Sequence, residues 1–298
     1  MIYDMGLESD LYGVTFECPE RALSEKQKVV RCVLEGKEYT SQEIDKIFST
    51  SKAEGRSLYY VDETVLKDIM PEVIFTQDIC EVCQIDTACT SAAVEKLDKV
   101  VDLETISPDS LEDVFDSVFS IARVFNQEEK AFQHLTELRS RLDLIVDKQR
   151  ENRLRNRRVS LMEWIDPIYN CGHWIPDQIE YAGGIDMLSN PSGDSIVTSW
   201  DKVVRYDPEV LVIAPCGFQT ARTLEELSHL ADKSEWKSLR AVKNQEVYIA
   251  DFDLFTQPSA STLVDGIEVL ASVFHPEVFE TPKHLTDKVV SLKELQLV

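Results

Sequence analysis

This 298-residue chain is short of positive charge, with 31 Lys and Arg against 54 Asp and Glu, and its formal net charge is −23. Nucleic acids and anionic membrane surfaces both need a basic face to dock on, so the balance argues against either as a partner. No stretch approaches the roughly 20 consecutive apolar residues of a membrane span. Met1 to Asp10 has neither a cationic segment nor an apolar core of the kind found in secretory leaders. There is no dense cysteine framework either: the seven cysteines are odd in number and scattered, which suits free thiols in a reducing compartment. Cytoplasmic residence is therefore the expectation. The chain also lacks G-x-S-x-G, a P-loop, G-x-G-x-x-G, low-complexity tracts and short-period repeats. With no nucleophile–base pairing in view, the expectation is a protein that is not an enzyme.

The remaining pattern alternates strands and helices, which points to an α/β fold. Short strands are expected at Gly13 to Glu17, Ser57 to Val61 and Val73 to Thr76. Ser41 reads as the cap of a helix carrying Ile44, Ile47 and Phe48, and Asp62 as the cap of a helix from Glu63 to Met70. A lobe of this kind ends near residue 106. Ser107-Pro108 then opens an amphipathic helix with Leu111, Val114, Phe115 and Val118 on one stripe. Asn126 with Glu129 resembles a capping box and starts a longer helix, about 25 residues and close to 40 Å, long enough to join two lobes as a strut. The division expected is residues 1–106 for a first lobe, 107–156 for connecting helices, 157–276 for a second lobe and 277–298 for a polar tail. Strands of the second lobe are expected at Val159 to Trp164, Val210 to Ala214 and Val247 to Ala250. Ser261 caps its last helix.

The segment Glu163 to Pro176 is the densest in chemistry. It places Trp164, His173 and Trp174 beside Asp166 and Asp177, in a loop leaving the C-terminal end of a strand, which is where open α/β sheets bind ligands. Three other strands end in polar or aromatic loops: Thr76-Gln77-Asp78, Pro215 to Phe218, and Asp251 to Pro258. These ends are expected to share a rim, with the indole rings turned toward the opening. Tyr59 reads equally as strand-edge packing or as site lining. Large flat rings beside a few polar groups suit a bulky ligand better than bond-making chemistry. A rival signal is Cys80-Glu81-Val82-Cys83, a spacing fit for a dithiol or half of a zinc site; the second pair zinc needs is missing in sequence, since Cys18, Cys32, Cys171 and Cys216 stand alone.

In order along the chain, Gly13-Val14-Thr15 with Glu17-Cys18, Ser57-Leu58-Tyr59, Thr76 to Cys83, Glu163 to Pro167, Gly172 to Pro176, Ala182-Gly183-Gly184, Ala214 to Phe218 and Leu263 to Gly266 resemble the Fe/vitamin B12 periplasmic-binding type of ABC-transporter substrate-binding proteins (class III). The closest resemblance is to its cobalamin-binding branch. The resemblance spans residues 6 to 277. It implies two α/β lobes joined by one long backbone helix, with the ligand cleft between the lobes. It further implies reversible binding of a corrinoid, cobalamin itself, by a monomer that serves an ABC permease. The residues it points to as ligand-binding are Tyr59, Gln77, Asp78, Trp164, His173, Trp174 and Phe218, with no metal bound by the protein. An iron chelate or haem on the same scaffold, or a thiol- or metal-dependent protein using Cys80 and Cys83, are the other readings. The chain departs from the family in having Phe16 where a histidine is usual and in starting without the usual first apolar strand.

Overall fold

In a computed structural model, residues 1–77, 87–97, 99–257 and 259–293 are described. The chain is α/β and divides into two compact units, Met1–Ser107 with Phe119–Ala131, and Pro108–Val118 with Phe132–Val298.

Among its described residues the first unit holds five short strands: β1 (Gly13–Thr15), β2 (Gln27–Cys32), β3 (Tyr59–Val61), β4 (Val73–Thr76) and β5 (Asp102–Thr105). β1 runs parallel to β2 and β2 antiparallel to β3, while β4 and β5 form a separate parallel pair. β2, whose sequence Gln-Lys-Val-Val-Arg-Cys alternates poorly, was not anticipated; it forms because β1 and β3 offer it two edges. The helix Ser41–Ala53 starts one residue earlier than expected, because Thr40 is its cap. Its hydroxyl accepts from the Glu43 amide while the Glu43 carboxylate accepts from the Thr40 amide. Asp62 caps Glu63–Ile69 as expected, accepting from the amides of Thr64 and Val65. Asn126 does not begin the long helix. It sits at φ +54°, its amide bonding back to Arg123, so it ends Leu111–Val124 as a left-handed cap, and the long helix is Glu128–Glu151. Those 24 residues span about 36 Å. Leu111–Val124 itself begins later than Pro108. Ser110 and Asp113 close a reciprocal box over its first turn, and the Asp177 carboxylate accepts from the Leu111 amide at 2.9 Å.

The second unit contains β6 (Arg157–Met162), β7 (Gly172–His173), β8 (Gly184–Ile185), β9 (Asn190–Pro191), β10 (Val210–Ile213), β11 (Val247–Ala250) and β12 (Val289–Ser291). Its main sheet has the order β12-β11-β10-β6-β8, parallel throughout except for β12. Parallel strands covered on both faces read as continuous apolar runs, and all four residues of β10 are buried. One face packs Met162, Leu211, Ile213 and Ile249 against Val203, Leu230, Trp236 and Leu239. The helix Ala260–Phe274 buries eleven of its fifteen residues. The segment 277–298, expected to be a polar tail, contributes β12: the Val289, Val290 and Ser291 backbone pairs with Ala250, Ile249 and Tyr248.

Candidate functional site

Because β6, β10 and β11 are parallel neighbours, their C-terminal ends emerge together at one edge of the second unit's sheet. The amide of Cys216 donates to the carbonyl of Glu163 at 3.0 Å, prolonging the β6–β10 pairing past the strands, and the amide of Phe252 donates to the carbonyl of Phe218 at 3.1 Å. These links set Trp164 against Phe218, ring centroids 5.3 Å apart and tilted by 52°. The guanidinium of Arg222 lies 4.6 Å from the centroid of the Phe218 ring, and it pairs with Glu226 one helical turn on. Gly217 makes the turn possible with φ +78°, and a Cβ there would meet nothing within 4 Å. Trp164 is half-buried, yet its indole nitrogen is shut off from solvent and has no hydrogen-bond partner among the described residues. A buried unpaired donor is costly and calls for an explanation.

The loop beyond Trp164 is organised by Glu163. Its buried carboxylate accepts from the Gly172 amide at 3.1 Å and from the Ser195 hydroxyl. Gly172 has no alternative, since a Cβ would stand 2.3 Å from the carbonyl oxygen of Gly193. His173 follows at φ +51°, its amide donating to Gly193 at 2.7 Å. Burial lowers the pKa of His173, against the opposing pull of Asp194 and Asp109, so the ring favours its neutral form. Its Nδ1 is buried and unpaired among the described residues. Its ring contacts that of Trp174 at 5.5 Å.

Trp174, expected at the opening, is instead packed inside its unit at 4% exposure, its indole N–H donating to the Phe255 carbonyl at 2.6 Å. Sequence pattern does not separate the two tryptophans; the difference is that Trp174 begins a helix laid against the sheet while Trp164 lies at its rim. Asp177 is occupied at the Leu111 amide, and burial raises its pKa. In the first unit Tyr59 is buried between Phe16, stacked at 5.7 Å, and Phe48. Gln77 follows β4 and is partly exposed. Asp78, Cys80 and Cys83 lie outside the described residues. The structure thus joins Trp164 to Phe218 and His173 to Trp174. Arg222 escaped the sequence reading, its i,i+4 spacing to Glu226 being the only hint of an anchored guanidinium, while Asp251 was placed only as the start of a strand-end loop. Asp251, buried at the end of β11, accepts from the Thr220 amide at 2.7 Å. Among the described residues no three His, Cys, Asp or Glu side chains gather to hold a metal, and no helix is long and apolar enough to cross a membrane.

A family model described as "Periplasmic binding protein" matches residues 71–254. Comparison with curated proteins gives no match. Among solved structures, the chain is similar to an ABC transporter substrate-binding protein from Listeria monocytogenes EGD-e, at TM-score 0.67 and 13% identity, over 92% of this chain and 94% of that one. It is similar to a periplasmic heme binding protein from Pseudomonas aeruginosa at TM-score 0.65 and 16% identity, over 93% and 89% of the two chains. A periplasmic vitamin B12 binding protein of Vibrio cholerae aligns at TM-score 0.60 and 16% identity, over 92% of each. At these identities the likeness shows the fold.

Proposed function

The chain belongs to the Fe/vitamin B12 type of the periplasmic binding protein family, and from that premise we propose that it binds a corrinoid of the cobalamin kind, reversibly and without turnover. The observation that carries the reading is the Trp164–Phe218 pair, delivered by adjacent parallel strands to one sheet edge, where Trp164 is only half-buried. A corrin is a broad apolar disc fringed with amides. The half-buried Trp164 ring serves the disc, and Phe218, itself buried at 7% exposure, backs it. Each aromatic ring brings on the order of 150–250 Å² of surface, about 4–6 kcal/mol of gross hydrophobic gain, partly offset by the cost of ordering the ligand. Trp174 supports this wall from behind, its own N–H being spent on Phe255. His173 stands beside it as a neutral ring, suited to hydrogen-bond a fringe amide. The solute-binding character of the family supports a small-molecule ligand, and an ABC permease is the partner to which that ligand would pass.

Titration with cyanocobalamin, followed by tryptophan fluorescence, tests the proposal. Saturable quenching with a Kd of about 10 μM or below is expected, weakened in Trp164→Ala. Hemin and a ferric hydroxamate form the parallel arms. Quenching by either of these with none by cyanocobalamin would replace the corrinoid with that ligand.

A further inference from the structure

We propose that Asp251 is a positioning residue for the aromatic edge, held in place by Lys288 from the C-terminal segment. The proposal rests on the reading of the Trp164–Phe218 edge as the binding site. Phe218 sits in a turn between β10 and the helix Thr220–Glu226, and Gln219, the residue at that helix's cap position, supplies no side-chain cap. The missing acceptor comes from the next strand: the Asp251 carboxylate accepts from the Thr220 amide at 2.7 Å. One residue on, the Phe252 amide donates to the Phe218 carbonyl at 3.1 Å. Residues 251 and 252 therefore grip the chain on both sides of Gln219, and the Phe218 ring has its backbone tethered at its own carbonyl and two residues later.

Asp251 is in turn gripped. Its own amide donates to the Lys288 carbonyl at 2.9 Å. The Lys288 ammonium stands 3.6 Å from its second carboxylate oxygen and also bonds Asp253. The Lys288 side chain is 28% exposed and that of Asp251 10%, so the pair is shielded from solvent well beyond a surface ion pair. Lys288 directly precedes β12, whose pairing with β11 fixes the register of this contact. A segment that looked like an inert tail thus sets the ligand edge through a chain of two side chains. At 251 the carboxylate serves both partners, one oxygen accepting from the amide while the other faces the ammonium.

The test reads the turn directly, without ligand. The Phe252 amide donates to the Phe218 carbonyl, so its hydrogen–deuterium exchange, followed residue by residue, reports how well the turn is held. Asp251→Ala is expected to speed Phe252 exchange at least tenfold while exchange of the Phe16 amide, bonded to Val30 in the other unit, stays within twofold. Asp251→Asn, which keeps an acceptor for Thr220, is expected to restore most of the protection. Lys288→Met should give an intermediate rate, and it carries the test alone if Asp251→Ala does not fold. Unchanged Phe252 exchange in folded Asp251→Ala, or in Lys288→Met, would overturn the proposal. In the same variants cyanocobalamin affinity is expected to fall about tenfold. Loss of Phe252 protection in the variants of a wild type that binds no cyanocobalamin would sink the corrinoid reading and leave the clamp standing.

Discussion

In the second unit, β10 buries all four of its residues and the main sheet is covered on both faces, whereas in the first unit only Cys32 of β2 and only Thr76 of β4 are buried. Among the described residues of the first unit, apolar side chains gather in small clusters, one around Cys32, Leu58 and Tyr59 and another around Leu66, Ala93 and Leu97. The second unit has a cluster of fourteen buried side chains on one face of its sheet alone. Burial of apolar surface is the main favourable term in folding, so the second unit is the stiffer platform. That difference matters for a binding protein. Rings presented from a stiff sheet edge need little ordering when a ligand arrives, and that lowers the cost of binding.

The comparison breaks most readily at its cores. Leu211 is fully buried in β10, so Leu211→Ala is expected to lower unfolding free energy by about 4 kcal/mol. Ile74 in β4 is only partly buried, and Ile74→Ala is expected to cost about 1 kcal/mol. Urea unfolding of both variants checks this, and equal losses would contradict the contrast between the units.

The two tryptophans sharpen it next. Trp174→Ala removes a packed ring and orphans the buried Phe255 carbonyl, with an expected cost of about 3 kcal/mol of stability. Trp164→Ala is expected to leave stability within about 1 kcal/mol and to weaken corrinoid binding by about 2 kcal/mol. Thermal melts and fluorescence titrations separate the two, and a reversed pattern would place Trp164 in the core.

A last expected effect is a pH dependence that arises in the second unit. Burial raises the Asp186 pKa to about 6 from an ordinary 3.8, although the amides of Leu161 and Leu188 each donate to its carboxylate at 2.9 Å. The folded protein holds this proton where the unfolded chain releases it. Its contribution is therefore complete below about pH 4 and is lost as pH rises through about 6, a change of about 3 kcal/mol. Urea midpoints across that interval should show the fall in wild type and a flatter profile in Asp186→Asn. Matching profiles would show that Asp186 does not titrate there.

Much of this architecture was legible in the chain. The apolar runs of β10 and β11 stand out because a strand buried on both faces needs no partner to be recognised. The glycines and prolines around Trp164 and Phe218 mark strand ends, where α/β sheets bind ligands. What escaped was β2, whose residues alternate poorly, and the caps at Thr40 and Ser110, each displaced from a more conspicuous Ser or Pro nearby.

Local signals are carried by neighbours along the chain, so the sequence alone determined the α/β class, the long helix and the aromatic loops at strand ends. Tertiary structure decided which indole is packed and which stands at the edge. It also made β12 out of a polar terminal stretch and placed Asp251 between Lys288 and Thr220. Burial, strand pairing and charge pairing all depend on atoms contributed from distant positions, and no window of sequence contains both partners.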